Sequence, residues 1–136
     1  MRQILLFAAL AASLALLSGC ALSKAKADTA EDMSDKAAYH KLSAEEAYEM
    51  MASQEVVVVD VRTREEYDGG HIENAVLVPN ESIGSEMPDK EATLLIYCRS
   101  GRRSKDAAQK LLELGYQSVY DFGGVIDWPY ELVKEG

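Results

Sequence analysis

Residues 98–104 read Cys98-Arg99-Ser100-Gly101-Arg102-Arg103-Ser104. One cysteine, one glycine and three arginines fall within six positions, Cys98 to Arg103. Those residue types at that spacing suit a nucleophilic thiolate. Gly101 permits the positive φ of a sharp turn. Successive N–H groups of such a turn point inward and form a nest for an anion. A following helix would add its positive N-terminal end, and Arg99, Arg102 and Arg103 would add full charges. Every contribution favours thiolate over thiol, so Cys98 is expected to ionise below the free value near 8.5. The same groups would hold an anionic substrate over the sulfur. A cysteine leaving a buried strand is also a common small core hydrophobe, and loop arginines are often only solvated. The combination with Gly101 and a strand–loop–helix setting is what marks a site.

Such a loop needs a buried strand before it and a helix behind it. Leu94-Leu95-Ile96-Tyr97 is a continuous apolar run leading into Cys98. Ala107, Ala108, Leu111, Leu112 and Leu114 then recur at helical spacing, with Gly115 as the stop. Upstream, Val56 to Val59 is a β-branched run ending at Asp60, as expected of a strand buried on both faces. Ser43-Ala44-Glu45-Glu46 and Thr63-Arg64-Glu65-Glu66 are two capping boxes that open helices, the first running to about Met51. Tyr39–Leu42, Val76–Val78 and Val119-Tyr120 supply further short strands. Strands alternating with helices over short connections predict an α/β domain with a mainly parallel sheet. Ligands in such sheets bind beyond the carboxyl ends of the strands, which points to the residues after Asp60, Tyr97 and Tyr120.

In family order the chain carries Asp60-Val61-Arg62-Thr63-Arg64-Glu65-Glu66-Tyr67, Gly70-His71-Ile72-Glu73-Asn74-Ala75, Pro79-Asn80, the Cys98 loop and Gly123-Gly124-Val125-Ile126-Asp127-Trp128. With these motifs residues 39–136 resemble the rhodanese domain family. The resemblance implies a rhodanese-like fold, a mostly parallel five-stranded sheet flanked by helices on both faces. It also implies a single-domain sulfurtransferase carrying a persulfide on Cys98. The expected reaction moves sulfane sulfur from thiosulfate or a similar small anionic donor to an external thiol or cyanide. Cys98 would be catalytic, and Arg99, Ser100, Gly101, Arg102, Arg103 and Ser104 would bind the substrate. Asp60 and Arg62 would be supporting residues, with Arg62 paired to Glu66 or Glu73. Phosphatases and arsenate reductases that share this fold resemble Cys-x5-Arg, whereas Cys98 to Arg103 is Cys-x4-Arg, a tighter ring that favours sulfur. A persulfide carrier or redox partner and a non-enzymatic binding module stay open beside the enzyme. Neither a metal nor an organic cofactor is implied.

Other chemistry-bearing side chains are assigned to structure. His71 is expected to make a structural hydrogen bond in the Gly-His-Ile turn, Trp128 to pack, and Tyr67, Tyr97 and Tyr120 to lie in the core or at its rim. His40 carries no signal.

The N-terminus reads as an address. Fifteen of the first 20 residues are apolar, and Ile4 to Leu17 is interrupted only by Ser13. As a helix it would reach about 21 Å, short of the roughly 30 Å hydrocarbon core, so it suits a signal peptide. Leu17-Ser18-Gly19-Cys20 resembles the lipobox of bacterial lipoproteins, which implies cleavage before Cys20 and lipidation of that residue. Residues 20–38 read as a lipidated N-terminus and flexible tether. The expected location is the cell envelope on the extracytoplasmic face, held to the membrane by the lipid. Over the 136 residues 14 Lys+Arg stand against 23 Asp+Glu, a formal charge of -9. Such a surface repels phosphates, so nucleic acid is expected to be no partner, and the domain is expected to be a monomer.

Overall fold

The computed structural model describes residues 38–85 and 87–135. The leader, Cys20 and nearly all of the tether lie outside the described residues. The compact unit that holds the described residues spans Lys36–Gly136.

Five strands are present: β1 (Ala38–Lys41), β2 (Val57–Asp60), β3 (Val76–Leu77), β4 (Thr93–Cys98) and β5 (Ser118–Gly124). They form one sheet in the order β1-β5-β4-β2-β3, and each neighbouring pair is parallel. The helices are α1 (Ala44–Ser53), α2 (Arg64–Asp68) and α3 (Arg102–Glu113), with 3-10 turns at Asn80–Ser82 and Val125–Asp127. This is the expected rhodanese-like sheet with helices on both faces. Strand alternation divides the core into two layers. Val59, Leu94, Ile96 and Val119 pack against Ala107, Ala108 and Leu111 of α3. On the other face Val58, Leu95, Tyr97 and Phe122 pack with Ala47 of α1 and Tyr67 of α2. Leu94, Leu95, Ile96 and Tyr97 have no exposed surface. Each such side chain contributes about 1.5–3 kcal/mol of burial, and together they fix the strand that delivers Cys98.

Both capping boxes form. Ser43 Oγ accepts from Glu46 N–H while Ser43 N–H donates to Glu46 Oε2 at 2.8 Å. Thr63 and Glu66 repeat the arrangement at the start of α2. Several element ends differ from the sequence expectation, and two of these differences bear on the site. Strand β5 runs to Gly124, well past Tyr120, because Asp121, Gly123 and Gly124 stay paired with Ile96, Tyr97 and Cys98 of β4, which overrides the poor strand propensity of Asp and Gly. Helix α3 starts at Arg102, because Gly101 at φ +98° turns the chain directly into it.

Candidate active site

The carboxyl ends of β2, β4 and β5 bring together Asp60, Cys98 and Gly124. Asp60 stands opposite Tyr97 in the register, and Cys98 opposite Gly124. The register slips between Ile96 and Tyr97, leaving Phe122 as an extra residue on β5. That bulge sets Gly123 and Gly124 beneath the Cys98 loop. A Cβ on Gly124 would meet the Arg99 carbonyl oxygen and lie 2.7 Å from Ser100 Cα. Only glycine allows this approach.

Cys98 is 1% exposed. Its Sγ accepts the Gly101 N–H at 3.0 Å. Burial acts to raise the thiol; the Ser104 N–H, the Ser104 hydroxyl and the Gly101 and Ser100 N–H groups outweigh it and hold the thiol below its ordinary value. Ser104 has one hydroxyl proton, and the Gly101 and Gly123 carbonyls accept it at 3.1 and 3.3 Å. The backbone N–H groups therefore supply the more constant part of the cradle. Helices α1 and α2 consume their first N–H groups in capping boxes, but α3 has no side-chain cap and no acid in its first turn. Its N-terminal donors and positive end face the loop instead.

The three loop arginines divide. Arg99 and Arg102 are exposed and make no ion pair among the described residues. Arg103 donates to both oxygens of Glu66, each contact 2.8 Å long. The Arg103 pairing, together with the Thr63 hydrogen bonds, holds the Glu66 carboxyl down at about 2 against the opposing effect of burial. Its charge is thus balanced, and the expectation of three free cations becomes two. The expected partner of Arg62 is corrected as well. Arg62 pairs with Asp60, Nε–Oδ1 2.9 Å and Nη2–Oδ2 2.6 Å, because both are buried two residues apart. Arg62 also donates to Gly70 O, and the Tyr97 hydroxyl donates to Asp60 Oδ2 at 2.6 Å. Burial first and then Asp60 push that phenol up, so it stays a donor. Asp60 and Arg62 thus lock Tyr97, the residue preceding Cys98.

His71 donates its Nδ1–H to Tyr67 O at 2.9 Å and stacks on the Tyr67 ring, the structural role expected. Trp128 packs on Phe122. Two residues escaped sequence reasoning. Glu66 reads there as a capping residue and as a candidate partner of Arg62, and its pairing with Arg103 was missed although the carboxylate has a second oxygen to offer. Asp121 is fully buried in β5, where its Oδ1 accepts Gly123 N–H at 2.9 Å and its Oδ2 accepts the Tyr39 hydroxyl at 2.7 Å. An acid inside the run Val119 to Phe122 was the available signal. Among the described residues no three His, Cys, Asp or Glu side chains converge on a metal position. A cleft of about 400 Å³ opens beside the loop between Arg99, Glu65 and Glu66 and the apolar Val125, Ile126 and Leu132.

The family model described as "Rhodanese-like domain" matches residues 43–129. A rhodanese-like domain protein from Staphylococcus aureus is 30% identical with a TM-score of 0.65, covering 71% of this chain and 99% of that one. A rhodanese with anions from E. coli is 34% identical with a TM-score of 0.54, covering 58% and 98%. A tRNA uridine(34) hydroxylase from Yersinia pestis is 31% identical over 106 residues, 71% of this chain. The chain spans about 30% of the length of that relative.

These relatives correct two expectations. The Cys98 loop led to a thiosulfate-type sulfurtransferase with cyanide or a thiol as acceptor, whereas the curated relatives are named for hydroxylation of a tRNA uridine. The loop sets up a thiolate in an anion cradle, and that geometry does not select the electrophile. The net charge led to the exclusion of nucleic acid, whereas those relatives are named for a tRNA substrate. A net charge sums the whole chain, while recognition is local, and Arg99 and Arg102 make no ion pair among the described residues.

Proposed function

The chain belongs to the rhodanese-like domain family, and on that premise we propose that residues 38–135 work as a cysteine-dependent catalytic domain with the Cys98 thiolate as nucleophile. The Sγ electron pair forms a bond to an electrophilic atom of the substrate, and the leaving group departs with the pair it held. The Gly101, Ser100 and Ser104 N–H groups hold negative charge in the loop, and Arg99 and Arg102 attract an anionic substrate to it. Arg103 positions the loop through Glu66, and Asp60 and Arg62 lock Tyr97 ahead of it. The observation that carries this reading is Cys98 Sγ at 3.0 Å from the Gly101 N–H, before an uncapped helix, with its thiol lowered. Iodoacetamide labelling mapped by mass spectrometry tests it. Cys98 should react at pH 6 faster than glutathione does. A slower rate, or an inflection at the ordinary thiol value, refutes the reading.

The curated relatives support a second reading, in which the domain acts on a tRNA nucleoside. Nucleoside mass analysis of tRNA from cells lacking this chain tests it, the loss of a hydroxylated uridine being the supporting result. Lipidation of Cys20 bears directly on that choice. An anchor there would place the domain on the extracytoplasmic face, away from tRNA. Detergent-phase partitioning of the wild-type chain and Cys20→Ala separates the two: anchoring requires Cys20, and equal partitioning removes the lipoprotein reading.

A further inference from the structure

A second cleft, of about 410 Å³, opens between α1, the turn before β3 and the C-terminal segment. It shares no lining residue with the Cys98 loop or with the cleft beside it. Its volume lies in the range of small-molecule sites, about 300–1,000 Å³. Three aromatic rings meet there. Tyr48 stacks on Tyr130 with centroids 3.9 Å apart, Trp128 meets Tyr130 edge-on at 5.0 Å, and Tyr48 lies 6.1 Å from Trp128. Trp128 rests on Phe122 of the core, which holds its ring in place. Tyr48 remains 46% exposed, an unusual position for a large ring.

The charge around these rings has one sign. Glu73 and Glu131 line the cleft, and no lysine or arginine is among its described lining residues. Glu45 and Glu49, one turn apart on α1, add to burial in raising the Tyr130 phenol. The Trp128 indole N–H is shielded from water and has no hydrogen-bond partner among the described residues. Aromatic faces carry a negative quadrupole and attract a cation within about 6 Å. Carboxylates beside them strengthen that field. The rings suit a diffuse organic cation rather than a metal ion, which needs converging oxygen ligands that the described residues do not supply.

We propose that this cleft binds a small organic cation, a quaternary or alkylated ammonium, on the Tyr48, Trp128 and Tyr130 rings beside the Glu73 and Glu131 carboxylates. The site stands independently of Cys98 and of the catalytic reading above.

Trp128 is the sole tryptophan of the chain, so its emission reports the site directly. The full chain in non-ionic detergent is titrated with tetramethylammonium, with choline, and with 3,3-dimethylbutan-1-ol, the uncharged carbon isostere of choline. Sodium chloride holds the ionic strength constant. The ammonium compounds should give a saturable change in Trp128 emission. The alcohol should bind at least tenfold more weakly, about 1.4 kcal/mol at 25 °C. Tyr48→Ala and the double variant Glu73→Gln/Glu131→Gln should each weaken choline binding at least fivefold while keeping the far-ultraviolet circular dichroism of the wild type. Should Tyr48→Ala lose structure, the double carboxamide variant, which changes charge but little volume, decides alone. Equal binding of the alcohol, an emission change matched by sodium chloride, or undiminished choline affinity in a folded variant overturns the proposal.

Discussion

Replacing Glu66 by Gln isolates one interaction at the edge of the Cys98 loop. The carboxamide oxygen can still accept the Thr63 N–H, so the capping box survives. What is lost is the two-pronged ion pair with Arg103, both contacts 2.8 Å. The folded Glu66 carboxyl sits at about 2 against an ordinary 4.5, lowered most by Arg103 and further by the Thr63 bonds, so about 3.4 kcal/mol before solvent screening is an upper bound for the pair. The Arg103 and Glu66 side chains are 32% and 28% exposed, so screening reduces the expected loss to about 1–2 kcal/mol at pH 7. For a domain of this size that is a fall of about 5–10 °C in Tm. The sign with pH follows from the depressed value. The pair contributes fully above pH 4.5 and is lost as pH falls from there through about 2. Urea unfolding of wild type and variant at pH 7, 5, 4 and 3 should show a gap that is constant down to about 5 and closes below it. The variant also frees the Arg103 charge, which acts on Cys98, so the thiol should alkylate faster at acid pH. A stability gap that persists unchanged at pH 3, or a difference below about 0.5 kcal/mol at pH 7, refutes the assignment of Glu66 to Arg103.

Other perturbations test the rest of the site. Ser104→Ala removes the hydroxyl that helps hold the Cys98 thiol down, and the inflection of alkylation rate against pH should move upward. Gly124→Ala forces a methyl against the Arg99 carbonyl and Ser100; urea unfolding should show a loss of about 1–3 kcal/mol, with reduced Cys98 labelling in the folded fraction. Asp60→Ala leaves Arg62 buried and unpaired, a loss of about 3–5 kcal/mol by the same measurement. Asp121→Asn weakens the acceptor shared by Tyr39, Lys41 and Gly123. The Tyr39 phenol, pushed up to about 12 by burial and then by Asp121, should titrate lower in that variant when followed by ultraviolet absorbance.

Much of this protein is local, and local features are legible in a sequence. Two capping boxes, the β-branched run into Asp60 and the apolar run into Cys98 each declare themselves within about ten residues, because caps and strand burial depend on near neighbours. The loop from Cys98 to Ser104 is local in its donors: Gly101 makes its turn and α3 begins at once, so the N–H groups that meet the sulfur come from the loop itself. Pairing across the fold is another matter. Arg62 could reach several carboxylates by count, and only the common burial of β2 and its following residues commits it to Asp60. Arg103 looks like a third free cation until α2 places Glu66 against it, 37 positions away in the chain. The bulge that seats Gly123-Gly124 under the loop arises where β5 pairs with β4, past the last residue paired to β1. The meeting of Tyr48, Trp128 and Tyr130 requires α1 and the C-terminal segment to pack side by side. The sequence by itself determined the elements and the loop that carries Cys98, since those follow from short-range sterics and periodicity. Only the tertiary structure decided which charges are spent on one another and which remain to meet a ligand, since that depends on distances between residues far apart in the chain.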